Sequence, residues 1–175
     1  MHIVFDLDET LIHSLSTFRK SDLRPHALEL LRFCFANFES VSIWTAASDE
    51  WWLQNRAWHF SEFEFAHVFT ANKCVYYWDD ANAERERERR KCKPLIKFWR
   101  SKSTGMTRNN TIIVDDDHWN SIRNYGNAII IPEWNGDEND SELAKLEERL
   151  RTVLALEAQG YTVREIDLKR GILLR

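Results

Sequence analysis

The chain of 175 residues lacks several features that would assign it to a specialised class of protein. It has only three cysteines, Cys34, Cys74 and Cys92, and no CxxC pair, so we expect reduced thiols and no disulfide framework or zinc site. No stretch approaches the ~18 consecutive apolar residues of a membrane span, so we expect no membrane partner. Positive charge is not in excess either, because the net charge is −4, and no stable binding to nucleic acid is expected.

Composition and length indicate one folded domain over residues 1–175. Apolar residues make up 43% and charged residues 30% of the sequence, which is typical of a globular chain. The chain has no internal repeats. Its N-terminus shows no basic segment followed by an apolar one, so we expect no secretory signal and an intracellular location, in cytoplasm or nucleus.

Two aspartates follow the first strand-like run of the sequence. The run at 2–5 has strand character, and Asp6 and Asp8 come directly after it. Residues i and i+2 of an extended chain project to the same side, so both carboxylates are aimed at one spot. At roughly 4 Å and an effective dielectric constant of about 20, like charges repel by about 4 kcal/mol. The pattern therefore predicts a bound cation or a carboxyl group that keeps its proton near neutral pH.

A second acidic group follows another strand-like run much later in the chain. The run at 111–114 leads directly into Asp115, Asp116 and Asp117. Ligands of open parallel sheets bind just beyond the carboxyl ends of the strands, so the two acidic groups can converge there. Either group alone could simply cap turns and helices. Their repetition favours a hard cation held by oxygen ligands, and a few carboxylates with water favour Mg²⁺.

Strand-like and helix-like segments alternate along the chain, which predicts an α/β fold with a parallel sheet. We expect strands at about 2–6, 40–44, 66–70, 111–114 and 127–132, and helices at about 26–37, 49–58, 93–101, 118–124 and 141–158. Residues 74–78 look like one arm of a hairpin with its tip at 79–84. The Glu/Arg run at 84–91 is typical of a solvated surface, although its arginines could help to hold an anionic substrate. The tail at 161–175 is ambiguous.

Thr45 and Lys93 are candidates for binding an anion. Thr45 lies where the second strand turns into a helix, and a hydroxyl with the free N–H groups of a helix start can cradle phosphate. Alternatively, Thr45 or Ser48 only caps that helix. Lys93 precedes another helix and could neutralise phosphate or an aspartate, although lysines are common on surfaces.

Several segments occur in an order that is similar to one known family. They are, in chain order, Phe5-Asp6-Leu7-Asp8-Glu9-Thr10-Leu11-Ile12-His13-Ser14, Arg24-Pro25, Trp44-Thr45-Ala46, Lys93-Pro94-Leu95, Ile112-Ile113-Val114-Asp115-Asp116, and Asn127-Ala128-Ile129 followed by Asp140. This order resembles the haloacid dehalogenase (HAD) superfamily, in the branch of phosphatases that act on the C-terminal repeats of RNA polymerase II and their small relatives. The resemblance implies a Rossmann-like three-layer α/β/α fold with a mostly parallel sheet, a small β-hairpin insertion at about 70–92 and no large cap domain.

The resemblance also implies a mechanism. Asp6 would attack phosphorus and form an aspartyl-phosphate, while Asp8 would act as general acid and then as general base. The implied cofactor is Mg²⁺, on Asp6, the backbone carbonyl of Asp8, and Asp116. The full set of candidate metal ligands is Asp6, Asp8, Asp115 and Asp116, where Asp115 pairs with Lys93 or assists the metal shell. The candidate phosphate- and substrate-binding residues are Thr10, Arg24, Thr45, Ala46 and Lys93, where Thr10 would also steady the Asp8 loop.

The implied substrate is a phosphorylated serine or threonine of a protein or peptide, because the chain lacks a long cap insertion and its site should be open. Departures from the branch put this substrate in question: Asp117-His118 replaces the usual Ser-Pro, and Pro94 replaces an acid. Alternatives are phosphotyrosine, nucleotides, nucleic acid ends or small phosphometabolites, and, in a different class, a catalytically silent phosphopeptide-binding module. The sequence does not set the oligomeric state, and a monomer is compatible with it.

Overall fold

The computed structural model of the chain describes residues 1–14, 20–78 and 89–174. Its strands are β1 (His2–Phe5), β2 (Ile12–Ser14), β3 (Ser21–Leu23), β4 (Ser40–Trp44), β5 (Val68–Phe69), β6 (Val75–Trp78), β7 (Arg89–Cys92), β8 (Thr111–Asp115), β9 (Ala128–Ile130), β10 (Ile166–Asp167) and β11 (Ile172–Leu173). Its α-helices are α1 (Ala27–Asn37), α2 (Asp49–His59), α3 (Ile96–Trp99) and α4 (Glu142–Glu157).

A five-stranded parallel sheet with the order β5-β4-β1-β8-β9 forms the centre of the fold. The first strand of the sequence, β1, lies in the middle, where Phe5 is in register with Ile43 of β4 and with Val114 of β8. The predicted α/β fold with a parallel sheet is therefore confirmed. Because β1, β4 and β8 are adjacent and parallel, the loops that follow them begin at one edge of the sheet.

Both faces of the sheet are covered, which makes the fold three-layered. Ile3 and Phe5 belong to the larger apolar core, which α1, α2 and α4 complete. Val4 points to the opposite face and belongs to a second core with Trp44 and with Phe98 of α3. Strands that are buried on both faces read as continuous apolar runs, which explains why the sequence shows β1 and β8 so clearly.

A small antiparallel hairpin is inserted between β5 and α3, as predicted. Strand β6 pairs with β7 so that Val75 is opposite Cys92 and Tyr76 is opposite Lys91. The predicted hairpin tip at 79–84 and most of the Glu/Arg run lie outside the described residues. The hairpin leads directly to Lys93, so its register determines where this lysine enters the core.

Two predicted helices are wrong in extent or in kind. The helix expected at 93–101 is the single turn of α3, because Pro94 precedes it and the Leu95 N–H donates to Asn124 Oδ1 (2.9 Å). The helix expected at 118–124 is a series of turns with N–H bonds to the third preceding carbonyl, such as Asn120 to Asp117. Its asparagine side chains bond to other parts of the chain, and such bonds compete with helix formation.

The ambiguous tail forms ordered local structure. Thr162 and Glu165 make a reciprocal capping box around a short 3₁₀ turn, and a hairpin of β10 and β11 follows it. No helix in the described ranges is both long enough and apolar enough to cross a membrane.

Candidate active site

The three central strands bring the predicted site residues to one edge of the sheet. Asp6 follows β1, and its N–H donates to the carbonyl of Val114 in β8 (2.9 Å). Asp115 is the last residue of β8, and Thr45 follows β4 on the other side of β1. The carboxyl ends of neighbouring parallel strands thus place the two acidic groups and the threonine around one point.

Three carboxylates form a compact cluster at this edge. Among the described residues, Asp6, Asp115 and Asp116 offer oxygen atoms that lie within 4.8 Å of one another. The ammonium of Lys93 contacts two of them, at 2.6 Å from Asp6 Oδ1 and 2.9 Å from Asp115 Oδ2. Three carboxylates facing one ammonium leave two negative charges uncompensated when all are ionised. This deficit and the all-oxygen donor set fit a divalent cation such as Mg²⁺.

Burial and crowding shift the ionisation of the cluster. Burial, reinforced by the neighbouring charge of Asp115, raises the pKa of Asp6 well above its ordinary value. The same two causes raise the pKa of Asp116. Burial acts to lower the pKa of Lys93, but the carboxylates of Asp115 and Asp6 outweigh it and raise that pKa. Lys93 therefore stays an ammonium, and the carboxylates still require a proton or a further cation.

The hydroxyl of Thr10 orients one carboxylate of the cluster. Thr10 is fully buried, and its Oγ1 donates to Asp116 Oδ1 at 3.0 Å. In this position Thr10 acts on the orientation of a candidate metal ligand. The predicted phosphate contact of Thr10 stays a prediction.

The Asp8 side chain is hydrogen-bonded to residues outside the three-carboxylate cluster. Its Oδ2 accepts a hydrogen bond from Thr45 Oγ1 (2.9 Å) and its Oδ1 accepts one from Trp51 Nε1 (2.6 Å). Asp8 is therefore not a side-chain member of the cluster that the described residues form. The predicted metal contact through its backbone carbonyl stays a prediction.

Thr45 does not cap helix α2. That role belongs to Ser48, whose Oγ accepts from the Trp51 N–H at 3.2 Å. Thr45 Oγ1 instead accepts from the Ala47 N–H (2.9 Å) and donates to Asp8. Thr45 therefore contacts the candidate general acid directly, and phosphate binding by Thr45 stays a prediction.

A groove of about 730 Å³ opens beside Asp8. Its wall includes Ala46 and Trp51, and Lys91 of the hairpin crosses toward it, donating from Nζ to the Ala46 carbonyl at 2.7 Å. The predicted phosphate contact of Ala46 stays a prediction.

Two asparagines that the sequence analysis missed hold Lys93 and Asp115. Asn120 accepts the Lys93 N–H at its carbonyl (2.7 Å) and donates from Nδ2 to Asp115 Oδ1 (3.1 Å). Asn124 Nδ2 donates to the Lys93 carbonyl at 3.1 Å. Asparagines just after a strand that ends in acidic residues favour turns, in which the asparagine side chains bond to backbone groups. That signal could have identified these two residues.

Arg24, a predicted substrate-binding residue, contacts other parts of the protein. Its guanidinium is buried and forms a two-pronged ion pair with Asp140, with both bonds at 3.0 Å. It also donates to the backbone carbonyls of Glu9 and Thr10, at 3.3 Å each. These donors are directed at the loop that carries Asp8 and at a residue just before α4, so Arg24 holds that loop in place. Substrate binding by Arg24 stays a prediction.

The Arg24–Asp140 pair leads to a prediction about stability. Partial burial acts to raise the pKa of Asp140, but hydrogen bonds from Arg24 and from the Glu142 N–H outweigh it and lower that pKa. Asp140→Asn should lower the free energy of unfolding by about 2 kcal/mol at pH 7, because the buried guanidinium loses its charged acceptor. Urea unfolding followed by tryptophan fluorescence measures this loss.

The pH dependence of that loss provides its control. A carboxylate whose pKa falls on folding contributes stability above its ordinary value of 3.8, and this stability is lost as the pH falls through the lowered pKa. The difference between wild type and Asp140→Asn should therefore shrink below pH 4. A difference that stays constant down to pH 2 would contradict the ion pair as its source.

Comparison with protein families identifies the chain. Residues 1–163 match the family model described as NLI interacting factor-like phosphatase. The chain belongs to this family. Membership confirms the resemblance to the HAD phosphatases related to those of the RNA polymerase II C-terminal repeats, and it indicates that the protein is a phosphatase, a hydrolase.

Solved structures support the fold of this NLI interacting factor-like phosphatase. An uncharacterised protein from Listeria monocytogenes serotype 4b is similar, with a TM-score of 0.59 and 17% identity, over 89% of this chain and 98% of the other. Identity at this level bears on the fold alone. A comparison with curated proteins found no significant match.

Proposed function

We propose that the protein is a Mg²⁺-dependent phosphatase that hydrolyses phosphoserine or phosphothreonine in peptide segments through a phosphoaspartate on Asp6. The observation that carries the proposal is the meeting of Asp6, Asp115, Asp116 and Lys93 at one sheet edge. Asp8 follows in the same loop as Asp6 and is hydrogen-bonded to Thr45. Family membership supports phosphatase chemistry. The donor set supports the choice of cation, and the groove supports a substrate larger than phosphate.

In the first step, a carboxylate oxygen of Asp6 attacks phosphorus, and the bond between phosphorus and the leaving oxygen breaks. Asp8 gives its proton to that leaving oxygen. Lys93, already 2.6 Å from Asp6 Oδ1, holds the nucleophile and offers positive charge to the phosphoryl oxygens. Asp6 and Asp116, with Asp115 beside them, would hold Mg²⁺, which supplies further positive charge for phosphoryl transfer.

In the second step, water attacks the phosphorus of the phosphoaspartate, and the bond from phosphorus to the Asp6 oxygen breaks. Asp8, now a carboxylate, takes the proton from this water and returns to its starting form. Asp6 and Asp8 both return to their starting forms, and the products are the free hydroxyl and inorganic phosphate. The Thr45 hydroxyl donates to Asp8 Oδ2 and can turn toward a phosphoryl oxygen.

Hydrolysis of p-nitrophenyl phosphate tests the chemistry. The wild-type protein should release p-nitrophenol with added Mg²⁺, and excess chelator should remove nearly all of that activity, because the acidic cluster then keeps its uncompensated charge. Readdition of Mg²⁺ should restore it. Activity that persists in chelator would contradict the metal dependence, and no activity under any condition would favour a silent binding module.

A substrate panel tests the substrate class. Phosphoserine, phosphothreonine and phosphotyrosine peptides should be compared with nucleotides and sugar phosphates by phosphate release under the same conditions. We expect the highest kcat/KM for the phosphoserine and phosphothreonine peptides, because the groove beside Asp8 can hold the flanking chain. A clear preference for a nucleotide or a sugar phosphate would overturn the peptide assignment.

A further inference from the structure

The indole of Trp51 makes a direct contact with the candidate general acid. Its Nε1 lies 2.6 Å from Asp8 Oδ1, a short hydrogen bond to a carboxylate. We propose that Trp51 is a positioning residue that holds Asp8 Oδ1, so that Oδ2 is the oxygen that exchanges the proton with the leaving group. This inference rests on the proposed function and concerns the same site.

The Trp51 ring packs in the core, and hydrogen bonds hold the backbone from which it projects. It is 8% exposed and belongs to the larger apolar core. Its backbone N–H donates to the helix-capping Ser48, and its carbonyl accepts from Asn55 Nδ2 at 2.9 Å. Asn55 is fully buried and is itself bonded to Ser21 of β3. A ring held this way keeps its N–H at one place relative to the Asp8 loop.

The two donors on Asp8 differ in what they can do next. The indole N–H can only donate a hydrogen bond, so its role is limited to donating to Asp8 Oδ1. The Thr45 hydroxyl accepts from the Ala47 N–H and gives its own proton to Asp8 Oδ2. A hydroxyl proton rotates freely, so Thr45 can redirect it to a phosphoryl oxygen when substrate binds. Oδ2 then becomes available for proton transfer, while Oδ1 remains bonded to Trp51.

Removal of the indole N–H should therefore affect proton transfer more than the rest of the reaction. The torsion at the end of an aspartate side chain is broad, so a carboxyl group with one donor removed can rotate away from the leaving oxygen. Seryl phosphates have a strongly basic leaving oxygen and need this proton. The p-nitrophenolate leaving group is weakly basic and departs with little help from an acid.

The test is the variant Trp51→Phe, which keeps an aromatic ring but has no N–H. We expect kcat/KM for a phosphoserine peptide to fall 10- to 100-fold, within the range that general acid catalysis supplies. We expect kcat/KM for p-nitrophenyl phosphate to change by less than about threefold, because its leaving group makes little use of Asp8. The ratio of the two values, measured on one preparation, does not depend on the folded fraction or on metal loading. The loss for the peptide should lie in kcat, because Trp51 also lines the groove and lost groove contacts alone would raise KM and leave kcat unchanged.

Trp52→Phe is the matched control, because Trp52 is the neighbouring buried tryptophan of α2 and its substitution tests loss of core packing alone. It should leave the ratio of the two kcat/KM values at the wild-type level. Equal losses for both substrates in Trp51→Phe, or no loss for either, would overturn the positioning role. Wild-type protein that hydrolyses neither substrate would overturn the proposed function itself, which is a separate outcome.

A spectroscopic measurement covers the case in which Trp51→Phe does not fold. The indole N–H resonance of Trp51 in the wild type should lie downfield of the other indole resonances, because it bonds to a carboxylate at short distance. In Asp8→Ala this resonance should move more than any other indole resonance. An unchanged Trp51 resonance in Asp8→Ala would contradict the contact.

Discussion

Asp6→Asn is expected to lower kcat for p-nitrophenyl phosphate by at least about 10³-fold. An asparagine oxygen is too weak a nucleophile to form the covalent intermediate, and residues that act as a unit in catalysis lose most of their joint effect when one is removed. Lys93 and Asp115 keep their 2.9 Å contact in the variant, so the remaining site should stay assembled. Steady-state hydrolysis with Mg²⁺ measures the loss.

The stability of Asp6→Asn separates loss of chemistry from loss of fold. Burial and the charge of Asp115 raise the pKa of Asp6, which means that its ionised form is disfavoured in the folded protein. Without divalent cations at pH 7, the neutral amide should therefore make the variant at least as stable as wild type in thermal unfolding. The exposed control Asp22→Asn should keep full activity. An unfolded Asp6→Asn, or one with the wild-type rate, would contradict the role of Asp6.

Lys93→Met is expected to lower the free energy of unfolding by about 3 to 5 kcal/mol at pH 7 in metal-free buffer. Lys93 is fully buried between Asp6 and Asp115, and removing one partner of a buried ion pair leaves uncompensated charge in a poorly solvated site. Activity should fall as well, because the phosphoryl oxygens lose a cation. Urea unfolding at several pH values measures the change in stability.

The pH dependence identifies the cause of that loss. A carboxyl group whose pKa is raised by folding contributes stability below its ordinary value, here 3.8, and this stability is lost as the pH rises through the raised pKa. Lys93→Met removes the ammonium that opposes the rise, so its deficit should be larger at pH 7 than at pH 4. Lys145→Met, which breaks only an exposed pair with Glu142, should cost less than 1 kcal/mol. A deficit independent of pH would point to lost packing alone.

The prediction of the two acidic groups required only local geometry. Asp6 follows a strand that is buried on both faces, and Asp115 ends another, so the apolar runs and the acids after them are visible without any tertiary information. Parallel strands place their carboxyl ends at one edge, which is a general property of such sheets. For the same reason Thr45, at the end of β4, falls beside them.

The helix at 118–124 was predicted wrongly because its composition does not reveal where its asparagines bond. Asn120 and Asn124 contact Lys93 and Asp115, and both contacts depend on the hairpin and β8 being in place. The short extent of α3 has the same origin. Asparagine side-chain bonds to Asp115 and to the Lys93 backbone replace local helical ones. The asparagines signal turns, but the segment does not reveal which partners they bond to.

The parallel α/β sheet and the acidic groups at the ends of β1 and β8 can be predicted from the amino-acid pattern alone, because a buried strand and the residues just after it follow from local pattern. The hydrogen bond between Asp8 and Trp51 and the ion pair between Arg24 and Asp140 become visible only in the folded chain. Each of these contacts joins residues far apart in the chain. Its existence therefore depends on how whole elements pack and on which donors this packing brings within hydrogen-bond distance of an acceptor.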